Sequence, residues 1–421
     1  MMPDHFLPYG VTREDGILHV EQCSLSDLAQ QFGTPCYVYS KAAISAAYTE
    51  FANAFAGQNT LICYAVKANG NLGLLGLLSR LGAGFDIVSG GELRRVLAAG
   101  GDPQKIVFSG VGKSAAEMRQ ALSTGILCFN VESAAELRRL SQVACSMGLT
   151  APISLRVNPD VDAQTHPYIA TGLKDSKFGI AYGDAFPLYQ EAAALPGIAI
   201  HGIDCHIGSQ ITELSPFLAA LEKVLALIER LKGAGITLQH VDMGGGVGIR
   251  YRDETPLNLA EYAQAMQALL KGFSGRLLLE PGRRIVGNGG LLLTRVEYLK
   301  SAPEREFAVV DAAMNDLIRP ALYQAWHEIV PVLARVAQNR ILDVVGPVCE
   351  SGDILGTARS LSVEEGDLLA ILSAGAYGSS MGSNYNARPR PPEILVDGRA
   401  VTIIRRAESF DDQIRNEISA P

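Results

Sequence analysis

Apolar and polar positions change rhythm twice along this chain. Up to residue 37 they form short extended pieces, HFLPYGV, GILHVEQ and TPCYVYS. SLSDLAQQFG between them reads as a small helix capped by Ser24 or Ser26 and stopped by Gly33. From residue 61, short β-rich runs alternate with segments of helical spacing. The runs are Leu61–Ala65, Gly84–Val88, Ile106–Ser109, Leu127–Val131, Ile153–Val157, Ile200–His206, His240–Met243 and Leu277–Glu280. Segments such as GGELRRVLAAGG, SAAEMRQALSTG and FLAALEKVLALIERLKGAG lie between them and several end at glycine. After Gly287 the texture turns to β-rich runs broken by Gly, Pro and Asp, with one helical piece at Ile318–Trp326.

Eight apolar strands, each followed by a helix over about 230 residues, predict an α/β fold built on a (β/α)8 TIM barrel. An open doubly wound sheet competes, but no GxGxxG follows the first strand. The expected domains are N-terminal strands in 1–37, a barrel in 38–287 and a C-terminal all-β domain in 288–421. The N-terminal strands are too little to fold alone, so they are expected to complete the β domain, with the barrel inserted between its two pieces.

Each barrel run ends in polar or glycine residues. Lys67, Asp86 with Ser89, Asn130 with Glu132, Arg156, His206 with Ser209, Gly244-Gly245-Gly246 and Glu280-Pro-Gly-Arg283 all fall at carboxyl ends. A core strand needs no such set at one end, whereas the functional loops of a barrel do. Lys67 is the sharpest case. LICYAVKA reads as a strand buried on both faces that ends on a lysine, and a desolvated amine gives up its proton more readily, as a nucleophile must.

Composition narrows the class. The 421 residues carry a net charge of −8 and are 48% hydrophobic and 19% charged, which is globular. No basic cluster interleaves with aromatics, so nucleic acid is not an expected partner. The start, MMPDHFLPYG, lacks a signal-peptide pattern, and no apolar run has membrane-span length. Seven scattered cysteines without CxxC spacing suggest reduced thiols in a cytoplasmic protein; six read as small core residues, Cys349 apart. Without HxxxH or HExxH spacing, no metal site is expected.

Loops after the seventh and eighth strands are the common phosphate site of such barrels. GGG at 244–246 and EPGRR at 280–284 occupy them. His206 adds a flat ring, Ser209 a hydroxyl and Glu280 a carboxylate. A barrel lysine with these neighbours describes a pocket for pyridoxal 5′-phosphate, in which a carboxylate keeps the pyridine nitrogen protonated.

YAVKAN, FDIVSGGEL, TGLKDSKFGI, HIGSQ, DMGGGVGI, EPGR, IRPALYQAWH, GPVCESGD, GAYG and SNYNARPRP together cover nearly the whole chain. On these stretches the chain resembles the fold type III, alanine-racemase-like pyridoxal phosphate decarboxylases, and within them the diaminopimelate decarboxylase family. TGLKDSKFGI, RPALYQAWH and CESGD are the more specific motifs. The resemblance implies a lyase of lysine biosynthesis that converts meso-2,6-diaminopimelate to L-lysine and CO2. It implies Lys67 as the Schiff-base lysine, His206 against the cofactor ring and Glu280 at the pyridinium nitrogen. Ser209, Gly245, Gly246 and Gly282 would hold the phosphate. Arg283, Arg319, Tyr323, Glu350 and Tyr377 would bind substrate, with Arg283 and Tyr377 also near the cofactor. Cys349 would donate a proton, reaching the site from the partner chain of a homodimer.

The residue chemistry agrees with those roles. A substrate with an amino acid at each end needs arginines for its distal carboxylate and an acid, Glu350, for its distal ammonium. A decarboxylase of ornithine, arginine or a carrier-bound amino acid would need less, as would an alanine racemase. A pyridoxal phosphate-binding regulator would be expected to have lost Lys67 or Cys349. Two departures from the family pattern are Ala387, where Ser is frequent, and the extra Arg284.

Overall fold

The computed structural model describes residues 7–162, 177–335 and 338–419, so most of the TGLKDSKFGI stretch lies outside the described residues. The chain divides into two compact units. One comprises 47–249 and 255–284, the other 1–46, 250–254 and 285–421.

The chain begins in the second of these, the β unit. Strands β1 (Val11–Glu14), β2 (Ile17–Val20) and β3 (Cys23–Ser24) form a small antiparallel sheet. Helix α1 (Leu25–Phe32) follows, its N-terminus capped by the Ser24 side chain and its end marked by Gly33. Strand β4 (Cys36–Ser40) is buried at every position, and α2 (Lys41–Ala54) then leads towards the barrel. The strand lies whole in the β unit, past the expected break after residue 37.

The barrel strands are β5 (Thr60–Ala65), β6 (Gly84–Ile87), β7 (Ile106–Phe108), β8 (Cys128–Val131) and β9 (Ala151–Asn158). A two-residue strand, β10 (Ile180–Ala181), pairs with β9 alone. Next come β11 (Ile198–Asp204), β12 (His240–Asp242) and β13 (Arg276–Leu279). All pairings are parallel, and β13 returns to β5, so the barrel closes. Closure excludes the open doubly wound sheet. Parallel strands covered on both faces explain why these runs are mostly apolar.

Helices α3 (Leu72–Arg80), α4 (Gly90–Ala98), α5 (Ala115–Thr124), α6 (Ala134–Met147), α7 (Tyr182–Ala194), α8 (Ser215–Gly233) and α9 (Leu259–Leu269) fill the crossovers. Local chemistry sets their ends. Ser89 and Ser133 cap α4 and α6, Ser114 and Glu117 form a capping box on α5, and Gly125 and Gly148 close α5 and α6 in the left-handed region.

After a short α10 (Arg283–Val286) the chain returns to the β unit. Its strands are β14 (Gly290–Ser301), β15 (Glu306–Val310), β16 (Ile329–Pro331), β17 (Arg340–Val345), β18 (Ile354–Leu361), β19 (Leu368–Ile371), β20 (Glu393–Asp397) and β21 (Ala400–Arg405). Helix α11 (Arg319–Tyr323) lies between β15 and β16. Strand β4 sits inside the large sheet, antiparallel to β14 and parallel to β20. Leu18, Val20, Leu25 and Leu28 share one buried cluster with Val38, Leu291, Leu293, Ile394 and Val396. The N-terminal strands therefore complete the β domain, but only β4 enters its main sheet.

All seven cysteines are free thiols. Cys36, Cys63, Cys128 and Cys205 are buried as expected; Cys145 is exposed and Cys23 half-buried, which corrects the expectation that both are core residues.

Candidate active site

The lysine of LICYAVKA lies two residues past its strand. β5 ends at Ala65, and Val66–Ala68 form a 3-10 turn carrying Lys67. Its Nζ donates to Asp86 Oδ2 at 2.8 Å, with the lysine side chain 37% exposed and the aspartate fully buried. Lys67 is therefore ion-paired and partly open to solvent, rather than the desolvated amine the apolar pattern suggests.

The next loops interlock around this turn, and their glycines are dictated by space. A Cβ on Gly245 would sit 2.2 Å from the Glu280 carbonyl oxygen. One on Gly246, which has φ +108, would sit 2.6 Å from the Gly208 oxygen. On Gly282 it would press Ala68 Cβ at 3.0 Å, in the turn that bears Lys67. The Gly245 amide donates to His206 Nδ1 at 3.1 Å, so that nitrogen is bare. Burial, then the charges of Arg156 and Lys67, holds His206 well below the usual histidine range, so the ring is neutral near pH 7. Arg283 Nη2 donates to Ser209 Oγ at 2.8 Å.

Beneath these loops lies a group of buried acids. Carboxylate oxygens of Asp204, Asp242 and Glu280 all lie within 4.8 Å of one another. Asn130 Nδ2 donates to Glu280 Oε1 at 3.4 Å, and the Gly244 amide donates to Asp242 Oδ1 at 2.9 Å. Arg156 reaches Glu132 at 3.1 Å and Asp204 at 3.8 Å. Asp86 Oδ1 and Asp204 Oδ1 are buried without a hydrogen-bond partner. Burial, then the charges of Asp242, Asp86 and Asp204, pushes Glu280 well above the usual carboxyl range. Burial likewise pushes Asp242 up to about 6.

The remaining expected residues belong to the β unit. Arg319 and Tyr323 lie on α11, Arg319 buried and Tyr323 half-buried. Cys349 and Glu350 are exposed between β17 and β18, and the Cys349 amide donates to Asn386 Oδ1 at 2.8 Å. Tyr377 follows β19 with φ 56, and Asn386 and Ala387 also have positive φ. The extra Arg284 pairs with Glu50 at 2.9 Å.

Known proteins share this chain nearly end to end. Residues 41–287 match the family described as pyridoxal-dependent decarboxylase, pyridoxal binding domain. Diaminopimelate decarboxylase of Pseudomonas aeruginosa is 58% identical over 407 residues, covering 97% of this chain and 98% of that protein. This chain belongs to the diaminopimelate decarboxylase family. The solved diaminopimelate decarboxylase of Helicobacter pylori, complexed with L-lysine, superimposes with a TM-score of 0.90 at 44% identity, covering 93% of this chain and 98% of that one. The M. jannaschii enzyme, also with L-lysine, gives 0.94 at 38% identity over 98% and 99%.

The cofactor of the family is pyridoxal 5′-phosphate, and the barrel residues fit it. Asp86, Glu132, Asp204, Asp242 and Glu280 are served by Lys67 and Arg156. Such an excess of buried acid suits a ring nitrogen that carries a proton. The side-chain-free glycine loops suit a phosphate, which backbone amides can approach.

Asp204 and Asp242 were not singled out from the sequence. Their signal was available, since each is the final polar residue of its strand. Tyr251 was also missed. It belongs to the five-residue piece 250–254 that groups with the β unit, and nothing in its local pattern marks that.

Proposed function

We propose that the protein carries out the decarboxylation of meso-2,6-diaminopimelate to L-lysine and CO2, the closing step of lysine biosynthesis. The observation that carries this reading is the 58% identity to a diaminopimelate decarboxylase over 97% of this chain, a span that takes in most of both units. When bound, pyridoxal 5′-phosphate supplies an electron sink for the pair left behind by departing CO2.

The residues of the chain divide the remaining work. Lys67 would anchor the cofactor, and before cofactor binds Asp86 holds its amine in place. Glu280 would face the pyridine nitrogen and, as a carboxylate, hold a proton there; the acidic neighbours that raise its own proton affinity also favour a cationic ring beside it. His206, neutral, would pack on the ring, and Tyr377 is the β-unit residue assigned to the cofactor. Ser209, Gly245, Gly246, Gly282 and Arg283 hold the phosphate end. Arg283, Arg319, Tyr323 and Tyr377 take the substrate carboxylates, and Glu350 takes the distal ammonium. Cys349 Sγ–H delivers a proton to the carbon that has lost CO2.

Within the same reading the enzyme is a cytoplasmic homodimer whose sites lie at the interface, with Cys349 supplied by the partner chain. Among the described residues no helix is long and apolar enough to cross a membrane. The barrel, 38–287, is the cofactor domain, and 288–421 with 1–37 carries substrate and dimer contacts. The deciding experiment measures CO2 release from meso-diaminopimelate, lysine, ornithine and arginine in parallel. Release from meso-diaminopimelate alone is expected. Faster release from ornithine or arginine would reassign the substrate.

A further inference from the structure

Arg319 is held by groups that the assigned roles leave unused. Its Nη1 lies 2.8 Å from His327 Nε2, and its Cζ sits 4.8 Å above the Tyr251 ring centroid. His327 is fully buried, and its Nδ1 lies 2.9 Å from the Leu372 carbonyl oxygen, just past β19. The Tyr251 and His327 rings meet edge to face, with centroids 5.3 Å apart.

The two contacts of His327 determine its protonation. A carbonyl oxygen only accepts, so Nδ1 carries the hydrogen. A guanidinium only donates, so Nε2 is bare and accepts from Arg319. The imidazole is thus neutral and in a single tautomer. Gln324, with φ 52, turns the chain at the end of α11, and His327 lies three residues on. The result is an arginine whose long, flexible side chain is fixed by an acceptor at one nitrogen and an aromatic face below its plane.

We propose that His327 is a positioning residue for Arg319, with Tyr251 as the platform, and that together they set recognition of the distal carboxylate. This rests on the reading that Arg319 binds that carboxylate. A bidentate arginine–carboxylate pair demands a fixed plane, and a guanidinium that swings loses one of its two bonds. The expected penalty falls on substrate binding rather than on the chemical step.

The test compares two replacements in the holoenzyme. In His327→Asn the amide nitrogen takes the Nδ1 position and still donates to Leu372, but nothing reaches Arg319. In His327→Gln an oxygen stands near the Nε2 position and accepts again. His327→Asn should raise KM for meso-diaminopimelate about tenfold, the loss of one charge-assisted hydrogen bond, with kcat within about twofold. Cofactor absorbance and melting temperature should stay near the parent, and His327→Gln should recover most of the loss. An unchanged KM, or a fall in kcat alone, overturns the proposal, as does a Gln variant no better than Asn. Should His327→Asn not fold, Tyr251→Leu carries the same expectation of a KM rise at constant kcat, and the same refutation. Arg319→Ala separates the two levels. If it leaves KM unchanged, Arg319 does not bind substrate and the site reading fails. If it raises KM while His327→Asn does not, positioning alone is overturned.

Discussion

Asp86 gives one carboxylate oxygen to Lys67 Nζ at 2.8 Å and keeps the other buried without a partner. Removing the lysine therefore strands a buried charge. Lys67→Ala should destabilise the cofactor-free protein by about 1–3 kcal/mol, less than a fully enclosed pair because the lysine is partly solvated. The double variant Lys67→Ala with Asp86→Asn should be more stable than Lys67→Ala alone. Urea unfolding of the cofactor-free parent, Lys67→Ala, Asp86→Asn and the double variant measures this, and additive losses would show that the pair carries no coupling. Borohydride treatment of the parent holoenzyme should fix the cofactor on Lys67 and on no other lysine.

Asp242 allows a pH prediction. Its folded value of about 6 lies above the ordinary aspartate value of 3.8, so between these the folded protein binds more protons than the unfolded chain. The contribution of Asp242 to stability is thus retained at low pH and falls as pH rises through about 6. Asp242→Asn keeps the acceptor for the Gly244 amide but removes the titration. Its stability relative to the parent should increase from pH 5 to pH 7 in the cofactor-free form. A difference that does not vary with pH would mean that Asp242 is already ionised throughout.

Much of this arrangement was legible in the chain because parallel strands leave a strong trace. Apolar-rich runs with polar ends located all eight barrel strands, and glycine marked several helix ends. Pairing was less visible. Nothing local in CYVYS says that it will lie between β14 and β20, since those partners are more than 200 residues away. The environment of Lys67 was misjudged for a related reason. Apolar neighbours in sequence said nothing of Asp86 on the adjoining strand. Cys145 shows the same limit, because its exposure depends on which face of α6 the packing covers.

Gly245 tests the proposed phosphate cradle. An added methyl would meet a backbone oxygen at 2.2 Å, and that oxygen belongs to the Glu280 peptide at the end of a barrel strand. Gly245→Ala should cost about 1–3 kcal/mol and weaken cofactor retention on dialysis. Gly112, whose Cβ would meet nothing within 4 Å, is the control and should tolerate alanine in both assays.

Cys349→Ala should load cofactor normally and release CO2 at least 100-fold more slowly, the low end of what a positioned proton donor contributes. Full activity would remove Cys349 from the reaction. Because the thiol is proposed to come from the partner chain, two inactive variants should complement. Mixed and re-dimerised, Lys67→Ala and Cys349→Ala chains should regain roughly a quarter of parental activity, since half the dimers are mixed and one site in each is intact. Absence of recovery would place the thiol in the same chain as the lysine.

The central position of β4 bears on how the chain is made. This strand is synthesised before the barrel, yet its neighbours on either side, β14 and β20, emerge only after the whole barrel. The barrel strands need nothing beyond residue 279 to close, so that unit can fold on the ribosome while β4 waits with both edges bare. An apolar, doubly unpaired strand is a ready partner for any other nascent chain. Translation stalled between the barrel and β14 should therefore be the point at which this protein depends most on chaperones.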